Sequence, residues 1–510
     1  MNFNDSIPIH VIFISFFFVL FSYSVNAHEL VLGDLVIPSL IIVPASLFGF
    51  FILKLIIKDS VTAGLIITIG LILFFTYGHF YNIIKGVVIL DEEIGRHRYM
   101  LPIFIFGYSL IIFYFLKMRF NLQKVSKIVN YFSLTILVMT CFNIATVSYE
   151  EPYSTYEFKI NNEKTNELTP IYGKPNFYYI ILDEYVGDIG EKYLNYDNSE
   201  FFQFLESNNF IIPNDSTSNY PQTHFSVPSS LSMNYVNFLK DELDTKSKSF
   251  LPLRSILYNS DVITNFKMLD YDIVIFESGF VPSENFKYVD TIKCKNNKTE
   301  SVLLNVIGKS SMIGYFVERN EEQRIRDRVN CAFDELPKLA NEISNPIFVF
   351  AHFLIPHGPF VFGPNGESIV PGNPISSEKW DEKIAYLDQL KFANKKMIKV
   401  VDKILEDDKN AIIIIQSDTG SGIDLDWQDP NDFGKSERLS ILNVYHTPEI
   451  TNEKIYDGIT PVNSFRIIFN SYFNTEYEIL DDKNYWSDGS NPYDLQDVTE
   501  IVNTIISKTD

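Results

Sequence analysis

The chain opens with five long runs of apolar residues that carry almost no charge. The runs cover residues 7–25, 35–57, 61–77, 99–116 and 128–147. Each is close to the roughly 17–25 apolar residues that a helix needs to cross the hydrocarbon core of a bilayer. Lys54 is the only charged residue inside the runs, and it lies near the end of its run, where a lysine reaches the lipid headgroups. The pattern predicts about five transmembrane helices in a domain of residues 1–148.

The first run is also compatible with a cleaved signal peptide. Val25, Asn26 and Ala27 together resemble a small-residue cleavage site. Residues 1–7, however, contain no lysine or arginine, which a signal peptide carries ahead of its apolar segment. We therefore favour a retained membrane anchor.

The basic residues that flank the runs predict the orientation of the chain. On one predicted side of the membrane lie Lys54, Lys58, Lys117, Arg119, Lys124 and Lys127, and on the other lie Lys85, Arg96 and Arg98. Because basic residues accumulate on the cytoplasmic side, the larger group is predicted to be cytoplasmic. With five crossings, everything after residue 147 then lies outside the cytoplasm, so we expect a multi-pass protein of the cell membrane with an extracytoplasmic C-terminal domain.

Beyond residue 148 the pattern becomes that of a soluble α/β domain. Residues 149–173 are polar, contain prolines and lack apolar periodicity, which predicts a linker. Four short apolar runs then predict buried strands at Phe177–Leu182, Asp272–Phe276, 347–351 and 411–415. Helical segments such as 199–208 and 385–405 separate these strands. This alternation is typical of a largely parallel sheet that is covered on both faces, so we predict one such domain over residues 174–510.

Composition and charge narrow the possible classes of protein. Of the 510 residues, 46% are hydrophobic and 15% are aromatic, which excludes a disordered chain, and three cysteines exclude a disulfide scaffold. The first 148 residues hold nine basic and seven acidic residues, so the remainder holds 33 basic and 57 acidic ones. A soluble part with a charge near −24 repels the phosphates of nucleic acid, and we expect no nucleic-acid partner.

Two of the three cysteines fall in the predicted outer domain. An oxidising exterior favours a disulfide between Cys294 and Cys331, although two separate buried thiols are the alternative. Cys141 lies in the fifth apolar run and is expected to be a packed thiol.

Polar residues follow each predicted strand at the point where it ends. They are Asp183 with Glu184, Glu277 with Ser278, His352 with His357, and Asp418 with Thr419. Because ligands bind at the carboxyl ends of parallel strands, we expect Asp183 and Asp418 to converge on one cation. Either aspartate alone is explained as the cap of a following helix. The two together with the histidines favour a divalent metal site.

A hydroxyl-rich segment at residues 219–233 supplies candidates for a nucleophile. A hydroxyl at a helix N-terminus that faces a metal is placed for attack on phosphorus or sulfur. Thr223 and Ser226 both qualify, and their spacing leaves Ser229 and Ser230 open. The alternative is an ordinary hydroxyl-rich helix cap.

Five segments in order resemble the sulfatase-like branch of the alkaline phosphatase superfamily. They are KPNFYYIILD at 174–183, NYPQTHFSVPSSLSM at 219–233, HFLIPHGP at 352–359, QSD at 416–418 and ITPVNSFR at 459–466. Apolar helices ahead of such a domain also resemble lipoteichoic acid synthases and phosphoethanolamine transferases. The resemblance covers the chain from about residue 174 to the C-terminus and implies an alkaline-phosphatase-like α/β fold.

The resemblance also implies roles for individual residues. Asp183, Thr223 and Asp418 would bind a metal ion, with Thr223 as the nucleophile. His352 and His357 would bind the phosphate or sulfate of the substrate, or a second metal. A hydrogen-bonded core histidine is the alternative for His352, so His357, in a predicted loop, is the stronger candidate of the two.

Two positions depart from the pattern of the family. Thr419 stands where the family has the histidine of an Asp-His pair, and Glu184 stands where close relatives often have glycine. If Glu184 and Thr419 join the metal site, oxygen ligands alone favour Ca²⁺, Mg²⁺ or Mn²⁺ over Zn²⁺. If Glu184 instead faces solvent, the site is weakened or inactive. His446 is a possible replacement for the missing imidazole, although a packing or surface role is favoured.

These features predict a membrane-anchored, metal-dependent phosphoryl or phospho-alcohol transferase or phosphoesterase that acts on envelope glycan or lipid. The expected partners are a membrane lipid or lipid-linked donor and a glycan or lipid acceptor. The alternatives are a sulfatase on the same fold and a catalytically degenerate glycan-binding domain. Sulfatases of the superfamily carry a Cys/Ser-x-Pro-x-Arg motif, and here Ser226 and Pro228 are followed by Ser230 in place of the arginine.

Overall fold

The computed structural model describes most of the chain as two compact units. The described residues are 8–85, 87–89, 92–117, 122–150, 168–243, 247–295, 301–369, 381–427, 429–448, 450 and 454–509. The first unit comprises Met1–Ser154 and Lys298–Glu321, and the second comprises Thr155–Asn297 and Glu322–Asp510. Most of the predicted linker, at residues 151–167, lies outside the described residues.

Helices and short strands make up both units within these residues. The α-helices are α1 (His10–Val25), α2 (Val36–Ile57), α3 (Ser60–Ile84), α4 (His97–Lys117), α5 (Leu122–Glu150), α6 (Asp188–Leu194), α7 (Ser199–Ser207), α8 (Thr223–Ser232), α9 (Leu239–Glu242), α10 (Leu251–Tyr258), α11 (Asp261–Met268), α12 (Val302–Lys309), α13 (Gly314–Glu335), α14 (Leu339–Glu342), α15 (Glu382–Asp407), α16 (Asp432–Leu439), α17 (Pro461–Tyr472) and α18 (Thr499–Thr509). The strands are β1 (Val88–Ile89), β2 (Glu92–Glu93), β3 (Phe177–Leu182), β4 (Asp272–Phe276), β5 (Thr291–Lys293), β6 (Ile347–Phe353), β7 (Ile412–Gln416), β8 (Asn443–His446), β9 (Tyr485–Trp486) and β10 (Gln496–Asp497).

Apolar helices dominate the first unit. Four stretches are long and apolar enough to cross a membrane by length and composition, namely Leu32–Ile57, Ser60–Ile84, His97–Lys117 and Leu122–Thr146. Helix α1 is also apolar, but with 16 residues it is shorter than these. Four of the predicted membrane helices are therefore confirmed as apolar helices of sufficient length, and a fifth crossing by α1 stays a prediction.

Helix α1 contacts several other helices of the first unit. It packs against α2, α3 and α5, and Tyr23 is fully buried. His10 is also fully buried, with its Nδ1 atom 2.6 Å from Thr68 Oγ1 and its Nε2 atom 3.2 Å from Ser126 Oγ. The backbone N–H of His10 donates to Asn130 Oδ1 at 2.8 Å. Burial and hydrogen bonding of this kind favour a retained α1 over a cleaved signal peptide.

The segment 301–321 packs within the first unit although it lies far from the membrane helices in sequence. Leu303 and Ile307 on α12 are buried in the same apolar cluster as residues of α1, α2 and α3. The backbone N–H of Gly78 donates to Ser310 O at 2.9 Å. The predicted domain of residues 174–510 included this segment, because a short amphipathic helix gives no sign in sequence of which apolar surface it covers.

A six-stranded sheet forms the centre of the second unit. Its strand order is β5-β4-β6-β3-β7-β8, and β3 pairs in parallel with both β6 and β7. Strands β4 and β5 continue the parallel arrangement, and β8 joins β7 antiparallel. The predicted α/β domain with a largely parallel central sheet is confirmed.

Helices cover both faces of this sheet. Side chains alternate along a strand, so Tyr178, Ile180 and Leu182 of β3 pack in one core with residues of α7, α13 and α15. Tyr179 and its alternate neighbours pack in a second core with residues of α8, α11 and α17. Since both faces are apolar and closed, the carboxyl edge of the sheet is where polar groups meet.

The structure joins Cys294 and Cys331 in a disulfide with a Cα–Cα distance of 5.8 Å. Cys141 is a free thiol with an exposed side chain. The expectation of a packed thiol at Cys141 was wrong, because this residue lies on the outward face of α5.

Candidate functional site

Three adjacent strands bring two carboxylates and an imidazole together at the edge of the sheet. Asp183 follows β3, His352 lies in β6, and Asp418 comes two residues after β7. All three side chains are buried, and each offers one ligand atom within 4.8 Å of the others. The parallel order β6-β3-β7 explains this convergence, since neighbouring parallel strands end at the same edge. We call these residues the carboxylate–imidazole cluster.

The cluster contains buried polar atoms that lack a partner among the described residues. Asp183 Oδ2 lies 3.4 Å from His352 Nε2, which is too long for a good hydrogen bond. Asp183 Oδ1 and His352 Nε2 are both buried without a hydrogen-bond partner in this part of the chain. Such atoms are costly to bury unpaired, and a divalent cation satisfies carboxylate and imidazole lone pairs together. The donor set therefore fits a metal ion.

Thr223 is bonded directly to this cluster. It is the first residue of α8, and its Oγ1 donates to Asp418 Oδ2 at 2.5 Å. The other carboxylate oxygen of Asp418 accepts from the backbone N–H of Glu184 at 3.1 Å. A hydroxyl in this position combines the positive end of a helix with a carboxylate that can accept its proton.

The other candidate hydroxyls on α8 have different surroundings. Ser229 Oγ donates to Asn234 O at 2.7 Å, and Ser230 Oγ lies 2.7 Å from Tyr179 Oη. Ser226 Oγ is buried without a partner among the described residues and is not bonded to the cluster. Of the four hydroxyls that the sequence left open, Thr223 is the one hydrogen-bonded to Asp418.

The two carboxylates of the cluster have pKa values that shift in opposite directions. Burial and the charge of Asp183 together raise the pKa of Asp418 to about 7, against the opposing effect of His352. Burial alone would also raise the pKa of Asp183, but its interactions with the neighbouring His357, His352 and Arg438 bring it below its usual value. Asp183 is therefore the ionised member of the pair at neutral pH, and Asp418 has the properties of a group that exchanges a proton near pH 7.

His357 lies in the loop after β6, beside the cluster. Its backbone N–H donates to Asp183 O at 3.0 Å, and its Nε2 atom lies 3.7 Å from Glu184 Oε1. Burial would lower the pKa of His357, but the charges of Asp183 and Glu184 outweigh it and raise the pKa. Because 46% of its side chain is exposed, a ligand can reach His357, and its raised pKa favours the cationic form.

Glu184 does not add a carboxylate to the cluster. Its backbone has a φ of +58°, in the left-handed region that favours glycine, and its Oε1 pairs with Arg438 Nη1. Arg438 also donates to Gly420 O at 2.8 Å and to Pro221 O at 2.9 Å. Glu184 is therefore neither one of the clustered ligands nor a solvent-facing side chain, as the two sequence interpretations had it, because a buried arginine holds its carboxylate.

Thr419 and His446 do not supply the missing imidazole. Thr419 carries no imidazole; it is fully buried, and its Oγ1 has no hydrogen-bond partner among the described residues. Its predicted part in the metal site stays a prediction. His446 is paired in register with Ile413 near the start of β7, and its Nδ1 atom lies 2.8 Å from Ala411 O. The favoured packing role for His446 agrees with this position. The imidazole of the cluster comes instead from His352.

The roles of two further residues, Arg438 and Glu277, were not predicted from the sequence. Arg438 was not singled out, since an arginine inside the short helix α16 carries no signal of burial. Glu277, which follows β4, accepts from the backbone N–H groups of Gly279 and Ser283 at 3.0 and 3.3 Å. Glu277 thus stabilises its own loop and takes no part in the cluster.

Comparisons with known proteins find structural but not sequence relatives. No family model matches the chain, and no curated protein matches it. The C-terminal periplasmic domain of EptC from Escherichia coli, in complex with zinc, is 10% identical with a TM-score of 0.42, over 66% of this chain and 95% of that one. The lipooligosaccharide phosphoethanolamine transferase EptA from Neisseria meningitidis is 12% identical with a TM-score of 0.39, over 81% and 82%.

A sulfatase also stands among the similar structures. The putative sulfatase from Bacteroides thetaiotaomicron is 11% identical with a TM-score of 0.39, over 62% of this chain and 78% of that one. These neighbours are phosphoethanolamine transferases and sulfatases, the kinds of protein that the sequence motifs resemble.

Proposed function

We propose that the second unit is a metal-dependent phosphoryl or phospho-alcohol transferase or phosphoesterase with Thr223 as its nucleophile. The observation that carries the proposal is the hydrogen bond from Thr223 Oγ1 to Asp418, which lies in one cluster with Asp183 and His352. A hydroxyl, a proton acceptor and a set of metal ligands at one point are the parts that nucleophilic attack on phosphorus requires.

Asp183, Asp418 and His352 would hold one divalent cation. When bound, such an ion supplies positive charge for an alkoxide and for the charge that develops on a phosphoryl group. The preference for Ca²⁺, Mg²⁺ or Mn²⁺ over Zn²⁺ rested on ligands that are oxygen atoms alone. His352 adds a nitrogen atom to the donor set, so that ground for the preference no longer holds.

In the first step of the proposed reaction, residues of the chain accept the proton of the nucleophile and bind the phosphoryl group. Thr223 Oγ1 forms a bond to phosphorus while its proton passes to Asp418, and the bond from phosphorus to the leaving oxygen breaks. His357, half-exposed and with a raised pKa that favours its cationic form, binds the phosphoryl oxygens beside the cluster. In the second step, an acceptor hydroxyl or water attacks the phosphothreonine, the bond from phosphorus to Thr223 Oγ1 breaks, and Asp418 returns its proton to Oγ1. The proton that the attacking group loses passes to solvent, from which the leaving oxygen of the first step takes up one.

The first unit suggests where the reaction takes place. Four helices long and apolar enough to cross a membrane would hold the second unit at the membrane surface, within reach of a lipid or lipid-linked donor. The charge bias of the flanking residues supports an extracytoplasmic position for the second unit. The acceptor in this proposal is an envelope glycan or lipid.

Metal content and substrate class test the proposal together. The full-length chain in detergent is compared with Asp418→Asn, His352→Ala and the control His446→Ala, which removes a buried histidine outside the cluster. We expect about one divalent cation per chain in the wild type and the control, and at least roughly tenfold weaker retention in the two cluster variants.

The same proteins are assayed on an aryl phosphodiester and on an aryl sulfate. Turnover of the phosphodiester, lost in both cluster variants and kept in His446→Ala, is the expected result. Release of sulfate in its place would favour the sulfatase alternative. Absence of any bound cation across Ca²⁺, Mg²⁺, Mn²⁺ and Zn²⁺ would contradict the proposal and leave a degenerate binding domain.

A further inference from the structure

The first unit contains an apolar cavity of about 630 Å³ that is separate from the carboxylate–imidazole cluster. Its walls come from α2, α3, α4 and the segment that begins with α12. Lining residues include Ile42 and Ala45 of α2, Leu71 and Phe74 of α3, and Ile307 and Val317 of the segment. The volume falls within the roughly 300–1,000 Å³ of ordinary small-molecule sites.

The hydroxyl groups that line the cavity are already hydrogen-bonded within the protein. Ser46 Oγ donates at 2.8 Å to the backbone carbonyl one turn earlier in α2, and Ser311 Oγ donates at 2.7 Å to a carbonyl three residues before it. Tyr108 Oη donates to Ile66 O at 2.9 Å. Asn305 adds one amide to the wall. With its hydroxyls occupied and its other walls apolar, the cavity matches hydrocarbon rather than water or a polar ligand.

The helices around the cavity are closely packed, so the cavity does not result from poor packing between them. A Cβ atom added at Gly70 would lie 2.6 Å from Tyr108 Oη, and one at Gly308 would lie 2.9 Å from Val317 Cγ2. The helices that form the walls therefore already meet at contact distance. The remaining space lacks contact atoms on one side, which is unfavourable unless a ligand fills it.

The cavity is continuous with a surface that hydrocarbon must cover. Ile41 and Ala45 line the cavity and are also exposed on α2. On the same helix, Leu40 and Phe48 are 69% and 68% exposed, although α2 belongs to a stretch apolar enough to cross a membrane. Lipid chains are the medium that surrounds such side chains.

We propose that this cavity binds one hydrocarbon chain of a membrane lipid, with residues 304–317 as one of its walls. A hydrocarbon chain is favoured over a polar ligand for three reasons. The lining is apolar, its hydroxyl groups are already hydrogen-bonded, and the cavity opens toward the exposed face of α2. The proposal is independent of the metal and of Thr223, because none of the lining residues belongs to the cluster.

Photolabelling of the full-length chain tests this proposal. The protein is placed in nanodiscs of phosphatidylcholine and phosphatidylglycerol that contain a trace of a phospholipid with a diazirine in one acyl chain. After irradiation, labelled peptides are mapped by mass spectrometry. We expect label on the peptide that carries Leu304 and Ile307 as well as on the lining residues of α2 and α3.

Two matched substitutions decide whether the label reports the cavity. Ala45→Phe fills the cavity from α2. We expect it to lower labelling of the 301–317 peptide roughly tenfold, because a lipid chain kept out of the cavity loses the free energy of burying a few methylene groups. Ala145→Phe makes the same change on the exposed face of α5, outside the cavity, and should leave that labelling within about twofold of the wild type.

Other outcomes would overturn the proposal. They are label confined to outward side chains such as Leu40 and Phe48, or label on the 301–317 peptide that Ala45→Phe leaves unchanged. If Ala45→Phe does not fold, Ser46→Leu fills the same space and is judged by the same criteria. Thr223→Ala should label like the wild type, so failure of the enzymatic proposal does not affect this result.

Discussion

At the scale of single residues, Glu184 combines an unfavourable backbone conformation with a favourable ion pair. Its φ of +58° costs a non-glycine residue about 1–2 kcal/mol. Its carboxylate, however, neutralises the buried Arg438, and removing one partner of a buried pair costs about 3–5 kcal/mol. The ion pair therefore outweighs the backbone strain.

The variant Glu184→Gly tests this balance. We expect it to lower the free energy of unfolding by about 2 kcal/mol, since the glycine relieves strain but leaves Arg438 without its charge partner. Glu184→Gln is the matched control, because it keeps the strain and loses the charge, and it should be about 1 kcal/mol less stable than the glycine variant. Denaturation followed by tryptophan fluorescence measures both, since the guanidinium of Arg438 lies over the ring of Trp427. A glycine variant more stable than the wild type would contradict the account.

Glu191 makes stability depend on pH. Burial raises the pKa of its carboxyl to about 7 from an ordinary value of 4.5, and the bond from Asn198 Nδ2 at 2.7 Å only partly opposes this. Between pH 4.5 and 7 the unfolded chain loses this proton while the folded chain keeps it, so this group makes stability fall as the pH rises through that range. Above pH 7 its contribution no longer changes.

The variant Glu191→Gln isolates this contribution. The difference in unfolding free energy between the wild type and the variant should shift by about 2 kcal/mol against the wild type between pH 4.5 and 7.5. Urea denaturation at a series of pH values measures it. A difference that does not vary with pH would show that Glu191 is already ionised in the folded protein.

At the scale of elements, the burial of α1 predicts that it stays in the mature protein. Its contacts with α2, α3 and α5 and the bonds of His10 to Thr68 and Ser126 would be lost on cleavage. Intact-mass measurement of the protein extracted from membranes should therefore include the residues up to Ala27. A mass that corresponds to a chain starting after Ala27 would show that the first run is a signal peptide.

The elements of the second unit were largely predictable because each carries a local pattern. Strand β3 and strand β4 begin and end where their apolar runs do, and the acidic residue at the end of β3 and the one just beyond β7 mark the edge of the sheet. The position of α12 was not predictable, because its amphipathic pattern fits burial against any apolar surface. Arg438 was missed for a related reason, since burial of a charge depends on a partner distant in sequence, here Glu184.

The site itself was predictable in part. Asp183 and Asp418 were predicted from their positions just after two strands of a parallel sheet. Thr223 and Ser226 both qualified as nucleophile, with Ser229 and Ser230 left open. His352 was expected to contact substrate or a second metal, and its place in the cluster depends on the register of β6 against β3, which pairs it with Ile181. The register depends on how the two strands pair in the folded sheet, so it could not be predicted from the sequence of either strand alone.

At the scale of the whole molecule, the charge bias around the membrane helices predicts which side of the membrane the second unit occupies. With five crossings and the larger basic group in the cytoplasm, the C-terminal helix α18 should lie outside. A cysteine introduced as Ser507→Cys should react with a membrane-impermeant maleimide in intact cells, and one introduced as Lys58→Cys should react only after the cells are lysed. The reverse pattern would invert the orientation.

The two units also divide the chemistry between them. The first holds the apolar helices and the cavity for which we propose a lipid chain, and the second holds the carboxylate–imidazole cluster with Thr223. The proposed reaction depends on a covalent link that forms on Thr223 and then breaks, and that link is its most specific feature.

The most direct measurement is the intact mass of the full-length chain after brief incubation with an aryl phosphodiester and a divalent cation, followed by acid quench and peptide mapping. We predict an adduct on the peptide of α8 in the wild type and in Ser226→Ala, and none in Thr223→Ala. Its mass should be that of the phosphoryl group with the ester substituent that did not leave. An adduct that persists in Thr223→Ala, or one that disappears in Ser226→Ala while Thr223 remains, would contradict the assignment of Thr223 as the nucleophile.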